Sequence, residues 1–371
     1  MKKFLDCISI VGATPSKFHG TKKYVSTGAV ATTEIDESEV VEVTYEDRPS
    51  RANLSAEAGD ILFAKMQGTR KTLLLDSETE ENIYSTGFYA VRANPEVITT
   101  ECLYYLIDSE LFLAQKDKNC SGATQKAITN GGMAKIEISV PALSEQGILV
   151  DKLKHLTQLI ADKKKQLNLF DEIIKSRFIE MFGDPKRNPR KWDMVTVGDI
   201  ATDVRYGTSR PATEGGKYPY LRMNNLTYEG YLDLTDLKHI DIPDNEVEKC
   251  VVRNGDVLFN RTNSVELVGK TCVYNLDSDM IIAGYIIRVR IDDRVLPVIL
   301  SSYLNSTVMK EQLRSMAKGA VNQANINAQE LRSIPIYLPP ITLQHEFATF
   351  VEQVDKSKYH GEFTCGMEVA A

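Results

Sequence analysis

The chain has 371 residues, 43% of them hydrophobic, with 44 Lys+Arg against 51 Asp+Glu and a formal net charge of −7. That length predicts more than one domain, each able to bury a core. No apolar run is long enough to span a bilayer, and Asp6 interrupts the opening "MKKFLDCISIVG" as a signal peptide, so a cytoplasmic chain without a membrane partner is expected. The negative balance does not advertise nucleic acid, but the placement of basic groups decides that question, not their sum.

The first half begins with strand-like segments. "DILFAKM", "TLLLD" and "GFYAVRA" are short, rich in branched and aromatic residues, and bounded by Gly, Asp or Asn. Residues 99–117 have helical spacing, and "EISVP" reads as a closing strand stopped by proline. The predicted class is α+β. The six cysteines, Cys7, Cys102, Cys120, Cys250, Cys272 and Cys365, form no CxxC pair, so buried free thiols are expected.

After "PALSEQ" the pattern changes. Leu149, Leu153, Leu156, Ile160, Lys163, Leu167, Phe170, Ile174, Arg177 and Met181 alternate spacings of four and three, which is a coiled-coil seam. Lys163 and Arg177 should loosen it or fix its register. The stop is "GDPKRNP", with Gly183 and Pro185 past the helix end. A helix over these residues is about 50 Å long at about 1.5 Å per residue. It could pack on its own globule or pair with another helix.

The second half repeats the first. "GDILFAK" (59–65) recurs as "GDVLFNR" (255–261), a shift of about 196 residues. At shifts close to this, from 194 to 198 residues, "KKYVSTGAV" lies over "GKYPYLRMN", "STGFYAVR" over "IAGYIIRV", and "LYYLI" over "SSYLN". Phase is kept through Ile128/Ile326, Ile136/Ile334, Pro141/Pro339 and Gln146/Gln344. Such a period is too long for a solenoid and means two similar domains. The second helix begins alike, with Phe347, Val351 and Val354 over Leu149, Leu153 and Leu156. It is expected to end early, at "YHGEFTCGMEVAA", which has two glycines and no apolar spacing. Two equivalent helices could pack antiparallel and hold the globules apart, giving a tandem repeat with pseudo-two-fold symmetry.

Catalytic signatures are missing. "VGKT" (268–271) has Ser264 where a phosphate-binding loop needs glycine, and its repeat partner "TRKT" lacks the glycine before lysine, so both read as strand. There is no GxGxxG and no Asn-Pro-Pro-aromatic tetrapeptide, and the five histidines, His19, His155, His239, His345 and His360, have no metal-ligand spacing. What remains is a binding protein that places two similar modules one helix-length apart. Duplex DNA offers such a target, because successive turns repeat a groove about 34–36 Å apart.

The order globule, helix, globule, helix, with the phrases "SVPALSEQ", "SRFIEMFGDPKRNPRKWDMVTVGDI" and "IPIYLPPITLQHEFATFVEQVDKSK", closely resembles the specificity subunit of type I restriction–modification systems. The resemblance covers residues 1 to 358. It implies target-recognition domains over 1–143 and 184–340, with spacer helices over 144–183 and 341–371, the second shortened or truncated. Each domain would read one half of a bipartite, asymmetric site in double-stranded DNA. The implied partners are two methyltransferase subunits and the restriction subunits. No cofactor is expected in this chain; S-adenosylmethionine, ATP and Mg are expected in the partners, and the chain itself is expected to be non-catalytic. The Trp-containing lead-in of the second domain, "PRKWDMVTVGDI", has only "KKFLDCI" as its counterpart in the first. A stand-alone DNA methyltransferase or nuclease, and a coiled-coil protein scaffold, remain the alternatives.

On that reading Lys and Arg grip phosphates and polar side chains read base edges. The repeats agree in scaffold and differ in the loops that follow. After "GDILF" come Lys65, Gln67, Thr69, Arg70 and Lys71; after "GDVLF" come Asn260, Arg261, Asn263, Ser264 and Lys270. Arg suits guanine, and Asn or Gln suits adenine. Lys65 and Arg261 share a position and are the phosphate candidates; Asn263 is expected to set base preference. A second region, "SGATQKAI" against "KGAVNQANI", offers Gln125, Lys126, Asn322, Gln323 and Asn325. A third offers Lys22, Lys23 and Ser26, with Lys217, Arg222, Asn224 and Asn225 in the second half.

Overall fold

The structure is a computed structural model. It describes residues 1–320 and 323–369, without side chains for 318–320, 323 and 359–369. The chain divides into two compact units, Met1–Ala161 and Asp162–Ala371. Among the described residues no helix is long and apolar enough to cross a membrane.

Unit 1 contains two four-stranded sheets. In the first, the strand order is Ile8–Val11, Phe88–Ala93, Ile61–Ala64, Thr72–Leu74, all antiparallel. In the second, the order is Val41–Val43, Lys22–Val25, Ile83–Ser85, Ala52–Leu54, with the Lys22–Val25/Ile83–Ser85 pair parallel. Unit 2 repeats both orders. Its first sheet runs Ala201–Tyr206, Ile286–Ile291, Val257–Asn260, Thr271–Val273, and its second runs Lys238–Ile240, Tyr218–Leu221, Met280–Ile282, Val251–Val252. Again the pair of Tyr218–Leu221 with Met280–Ile282 is parallel.

The recurring Gly-Asp phrase is explained by this scaffold. Gly59 and Gly255 have φ of +85° and +93°, a turn conformation that side chains resist. The aspartate that follows is buried and closes the turn: Asp60 Oδ2 accepts from Glu57 N at 2.9 Å, and Asp256 Oδ2 accepts from Arg253 N at 2.9 Å. The neighbouring strand then sends an arginine to the same carboxylate, Arg92 Nε at 2.6 Å and Arg290 Nε at 2.8 Å. The strand beyond, "ILFA" or "VLFN", is buried on both faces and fills the core.

The 99–117 segment is two helices, Thr100–Ile107 and Glu110–Lys118. Ser109 separates them because its hydroxyl caps the second, accepting from Phe112 N at 3.2 Å. In unit 2 the matching helices are Pro297–Asn305 and Thr307–Met316. "VGKT" and "TRKT" become strand only from Thr271 and Thr72 onward; Gly269, at φ +81°, is in the turn before. Of the described cysteines, Cys7, Cys102, Cys250 and Cys272 are buried free thiols, and Cys120 is partly exposed. Cys365 and His360 lie outside the described side chains.

A connecting helix runs unbroken over Leu143–Phe182. Its first turn is locked to unit 1 by buried Gln146, whose Oε1 accepts from Thr99 N (2.7 Å) and whose Nε2 donates to Val97 O and Pro141 O, both at 3.0 Å. Gln344 does the same in unit 2, accepting from Leu296 N (2.8 Å) and donating to Arg294 O (3.0 Å) and Pro339 O (2.8 Å). From Asp151 through Arg177 no residue is fully buried. The last turns, with Phe178 and Phe182, enter the core of unit 2 against Phe347 and Tyr337.

The terminal helix spans Ile341–Val369, so its backbone does not stop at the two glycines as expected. A glycine inside a helix costs only about 1 kcal/mol relative to alanine, which neighbouring turns absorb. Within unit 2 it lies antiparallel to the last turns of the connecting helix. Phe347 meets Phe178, and one end of the pair is tied where Asp171 Oδ1 accepts from Lys358 Nζ (2.5 Å) and from the Tyr231 hydroxyl (2.9 Å).

Candidate nucleic-acid interface

Two of the three candidate regions lie side by side in each unit. In unit 1 Gln67 N donates to Lys126 O (3.0 Å), Ile128 N donates to Lys65 O (2.9 Å), and Met66 bridges Ala127. The 65–71 loop and the 122–128 segment therefore form one backbone-linked surface. In unit 2 Ile326 N donates to Arg261 O (2.9 Å), and Thr262–Asn263 pairs with Gln323–Asn325, which pairs with Lys318–Ala320. The matching segments meet in the same way, with a small sheet in place of isolated bridges.

The third region meets this surface through a lysine. Lys71 Nζ donates to Thr27 O (2.5 Å), and its repeat partner Lys270, buried, donates to Met223 O (2.9 Å). Burial pushes the Lys270 ammonium below its ordinary value. Both lysines tie scaffold to scaffold, so Lys270 is corrected from a phosphate contact to an internal brace, and Lys71 has the same internal role. Asn225 is also corrected. It is 2% exposed, with Oδ1 accepting from Arg222 N (2.8 Å) and Nδ2 donating to Asp233 O (2.8 Å), so its amide is not available to a base.

Other candidates are held less deeply. Lys65 Nζ donates to Thr86 O (2.9 Å) and lies 4.4 Å from the centre of the Tyr89 ring; burial lowers its pKa. Arg261 lies 5.0 Å from the Tyr206 ring centre and reaches Gly284 O at 3.5 Å. The two share a place and a setting, a cation on a tyrosine face beside a glycine turn. Asn263 has its amide engaged with Asn260 Oδ1 (3.0 Å) and Ser264 N (2.9 Å) and is half-buried, so the shape of its own loop depends on it. Arg70 forks onto Asp108 (Nε–Oδ1 3.1 Å, Nη2–Oδ2 2.8 Å) and reaches Glu110 at 3.1 Å, which raises its pKa. Arg222 pairs with Asp236 at 2.6 Å, Lys22 with Glu81 at 3.0 Å, and Lys23 with Glu37 at 2.8 Å. Exposed pairs of this kind contribute about 0–1 kcal/mol and exchange readily for another anion.

Gln125, Lys126 and Asn224 are exposed, and their side chains make no hydrogen bond among the described residues. Gln67 is exposed, with Nε2 on Asp117 O at 3.2 Å, and Lys217 is exposed over Tyr218. Asn322 lies outside the described residues, as does the side chain of Gln323. Residue pattern did not single out Lys116 and Lys310, which are 2% and 3% exposed and lie directly beneath the loops. Burial lowers Lys116, and burial together with Lys270 and Arg314 pushes Lys310 down to about 7. Nothing in their helical spacing marks them, because a helical lysine is by default a solvated one.

The family described as Type I restriction modification DNA specificity domain matches residues 10–169 and again 189–360. The type I restriction enzyme EcoKI specificity subunit of Escherichia coli (strain K12) is 23% identical over 314 residues, 80% of this chain and 67% of that protein. The type I restriction enzyme StySPI specificity subunit of Salmonella potsdam is 23% identical over 287 residues, 73% of this chain and 62% of that protein. The match therefore leaves a third or more of those relatives' own length uncovered. Among solved structures, a chain from a study of complex assembly and conformational transition of the type I R-M system has a TM-score of 0.53 at 21% identity, covering 98% of this chain and 94% of that one. A type I restriction–modification S subunit from M. genitalium has a TM-score of 0.50 at 11% identity, covering 100% and 92%. At these identities the structural likeness concerns the fold.

Proposed function

This chain belongs to the type I restriction–modification DNA specificity family, and from that premise we propose that it recognises a bipartite, asymmetric sequence in duplex DNA. Each unit would read one half through its paired loops, residues 65–71 with 122–128 and 261–270 with 318–320 and 323–326. The observation that carries this reading is the repetition itself. Two units share strand order, turn aspartate, arginine and buried glutamine, yet place different side chains on the same loop surface. A scaffold held constant under a changing surface is what two related readers of different half-sites require.

Affinity would come from Lys65, Arg261, Lys126 and Lys217 on phosphates, and preference from Gln67, Gln125 and Asn224 at base edges. The exposed pairs at Arg70, Arg222, Lys22 and Lys23 would exchange carboxylate for phosphate. In this reading catalysis belongs to partner chains: two methyltransferase subunits supplying S-adenosylmethionine chemistry, and restriction subunits using ATP and Mg. The connecting and terminal helices would be docking elements for those partners. Methylation sequencing of cells carrying the chain together with its methyltransferase tests the proposal. A split motif with two defined halves is expected. Methylation by the isolated chain would replace it with an enzyme, and no motif together with no shift of random duplex DNA would leave a protein scaffold.

A further inference from the structure

In each unit the second helix delivers a buried ammonium to the loop that follows the fully buried strand. Lys116, on Glu110–Lys118, donates from Nζ to Thr69 O (2.7 Å), Met66 O (2.9 Å) and Ala64 O (3.2 Å). Its neighbour Asp117 acts with opposite sign, Oδ2 accepting from Gly68 N at 2.9 Å and the carbonyl oxygen from Gln67 Nε2 at 3.2 Å. Residues 64–69 are thus held from beneath at five points. In unit 2 Lys310, on Thr307–Met316, donates to Gly269 O at 2.7 Å and lies 5.2 Å from the centre of the Tyr228 ring. Gly269 N in turn closes the loop on Asn260 O at 2.9 Å.

These lysines are not repeat partners. Ser109 and Ser306 cap the two helices alike, accepting from Phe112 N and Met309 N. Counted from those caps, Lys116 lies seven residues on and Lys310 four, and the counterpart of Lys116 is Leu313, fully buried and apolar. Inheritance from one ancestral unit would keep the position. Here the position has moved by one turn while the task has stayed. A buried ammonium is expensive unless each of its protons is used. Irregular backbone carbonyls facing a core are equally expensive unless a donor reaches them. At Lys116 three carbonyls meet the ammonium, so the two demands largely offset each other; at Lys310 one carbonyl and a tyrosine face do so only in part.

We propose that Lys116 and Lys310 are specificity-positioning residues: each fixes the backbone of one reading loop in a single shape, so the side chains at its tip meet duplex DNA in one register, while the lysine itself never touches DNA. This rests on the DNA-reading role given to those loops above.

The test uses the full chain, Lys116→Met, Lys310→Met and the milder Asp117→Ala, with two readouts. The first is hydrogen exchange of the free protein. The second is selection from a randomised duplex library in the presence of the co-expressed methyltransferase subunit. Lys116→Met is expected to raise exchange at residues 65–71 by about tenfold or more, in line with the loss of charge-assisted hydrogen bonds, with the remainder of unit 1 unchanged. Discrimination should fall about tenfold in one half of the selected motif only. Lys310→Met should do the same in the other half, and Asp117→Ala should repeat the Lys116→Met pattern more weakly, which serves if Lys116→Met does not fold. Unchanged exchange at 65–71 in both unit 1 variants overturns the positioning role. Exchange raised throughout unit 1 by both variants, or loss spread over both half-motifs, also overturns it, because that is general destabilisation. Faster loop exchange with an unaltered motif, or a wild-type chain that selects nothing, overturns the DNA-reading role of the loops and not their bracing by lysine.

Discussion

The two units make the same connection to their helices and finish it differently. Gln146 and Gln344 are the same hub, each fully buried, each bonding the chain just before its unit's first helix pair and the proline-bearing turn before its own helix. One turn later the units part. Phe347 is completely buried against Phe178 and Phe182, whereas its counterpart Leu149 is 38% exposed. The strand pair beneath is four residues long in unit 2, Asp193–Thr196 against Pro335–Leu338, and two in unit 1, Lys2 and Lys3 opposite Ile138 and Glu137. Trp192 adds a bond from Nε1 to Phe182 O at 3.1 Å, and unit 1 has no tryptophan. Duplication copied the hub. The aromatic cap depends on a helix arriving from upstream, which unit 2 receives from the connecting helix.

The largest effect should separate the units at that cap. Phe347→Ala should destabilise unit 2 by about 3–5 kcal/mol, whereas Leu149→Ala should shift unit 1 by about 0.5 kcal/mol or less. Denaturant unfolding followed by exchange in each unit reads the difference, and equal losses would mean that the aromatic cap does not set the units apart. A smaller effect should unite them. Gln146→Ala and Gln344→Ala each strand buried backbone groups and should cost about 1–3 kcal/mol per unit, in matching amounts. Unequal losses would mean that the hub is not shared in energy as it is in geometry. Smaller again, Gly59→Ala and Gly255→Ala should each cost about 1 kcal/mol through their positive φ, since no neighbouring atom would meet the added methyl.

The subtlest signature is a slope. Lys310 has its pKa pushed down to about 7 from 10.5 by burial, with Lys270, Arg314 and Lys175 adding to the shift and Glu229 opposing it. Between those values the unfolded chain binds a proton that the folded chain releases, so stability rises with pH through that window and the penalty is full below it. Wild type should gain on Lys310→Met as pH is raised from about 7 to about 9, by comparison of denaturation midpoints. Parallel pH profiles would show that burial of this ammonium carries no linkage.

Much of this was legible in the residues. The repeat, the long helix and the turn phrase follow from spacing and from the few residues that tight turns accept. Inward-facing polar groups were not. Lys270 and Asn225 look like surface residues in sequence, and only the carbonyls of Met223 and Asp233 reveal where they point. Lys116 and Lys310 escaped comparison of the repeats because they occupy different turns of equivalent helices. Arg92 and Arg290 were within reach. They occupy the same strand position in both copies, one residue past the valine that faces Ile61 or Val257, but the chain between the two strands is two residues longer in the second copy, which hides the match until the strands are paired.

The dividing line of this protein falls inside a helix. Residues from about 146 to 154 belong to one unit, residues from 171 to 182 to the next, and the exposed turns between them are committed to neither core. Anyone exchanging halves between such chains, by cloning or by genomic crossover, can splice helix to helix there without removing a single core side chain. A cut placed at the loop after Phe182, where a domain border would ordinarily be drawn, would strip the downstream half of the aromatic residues that seal it.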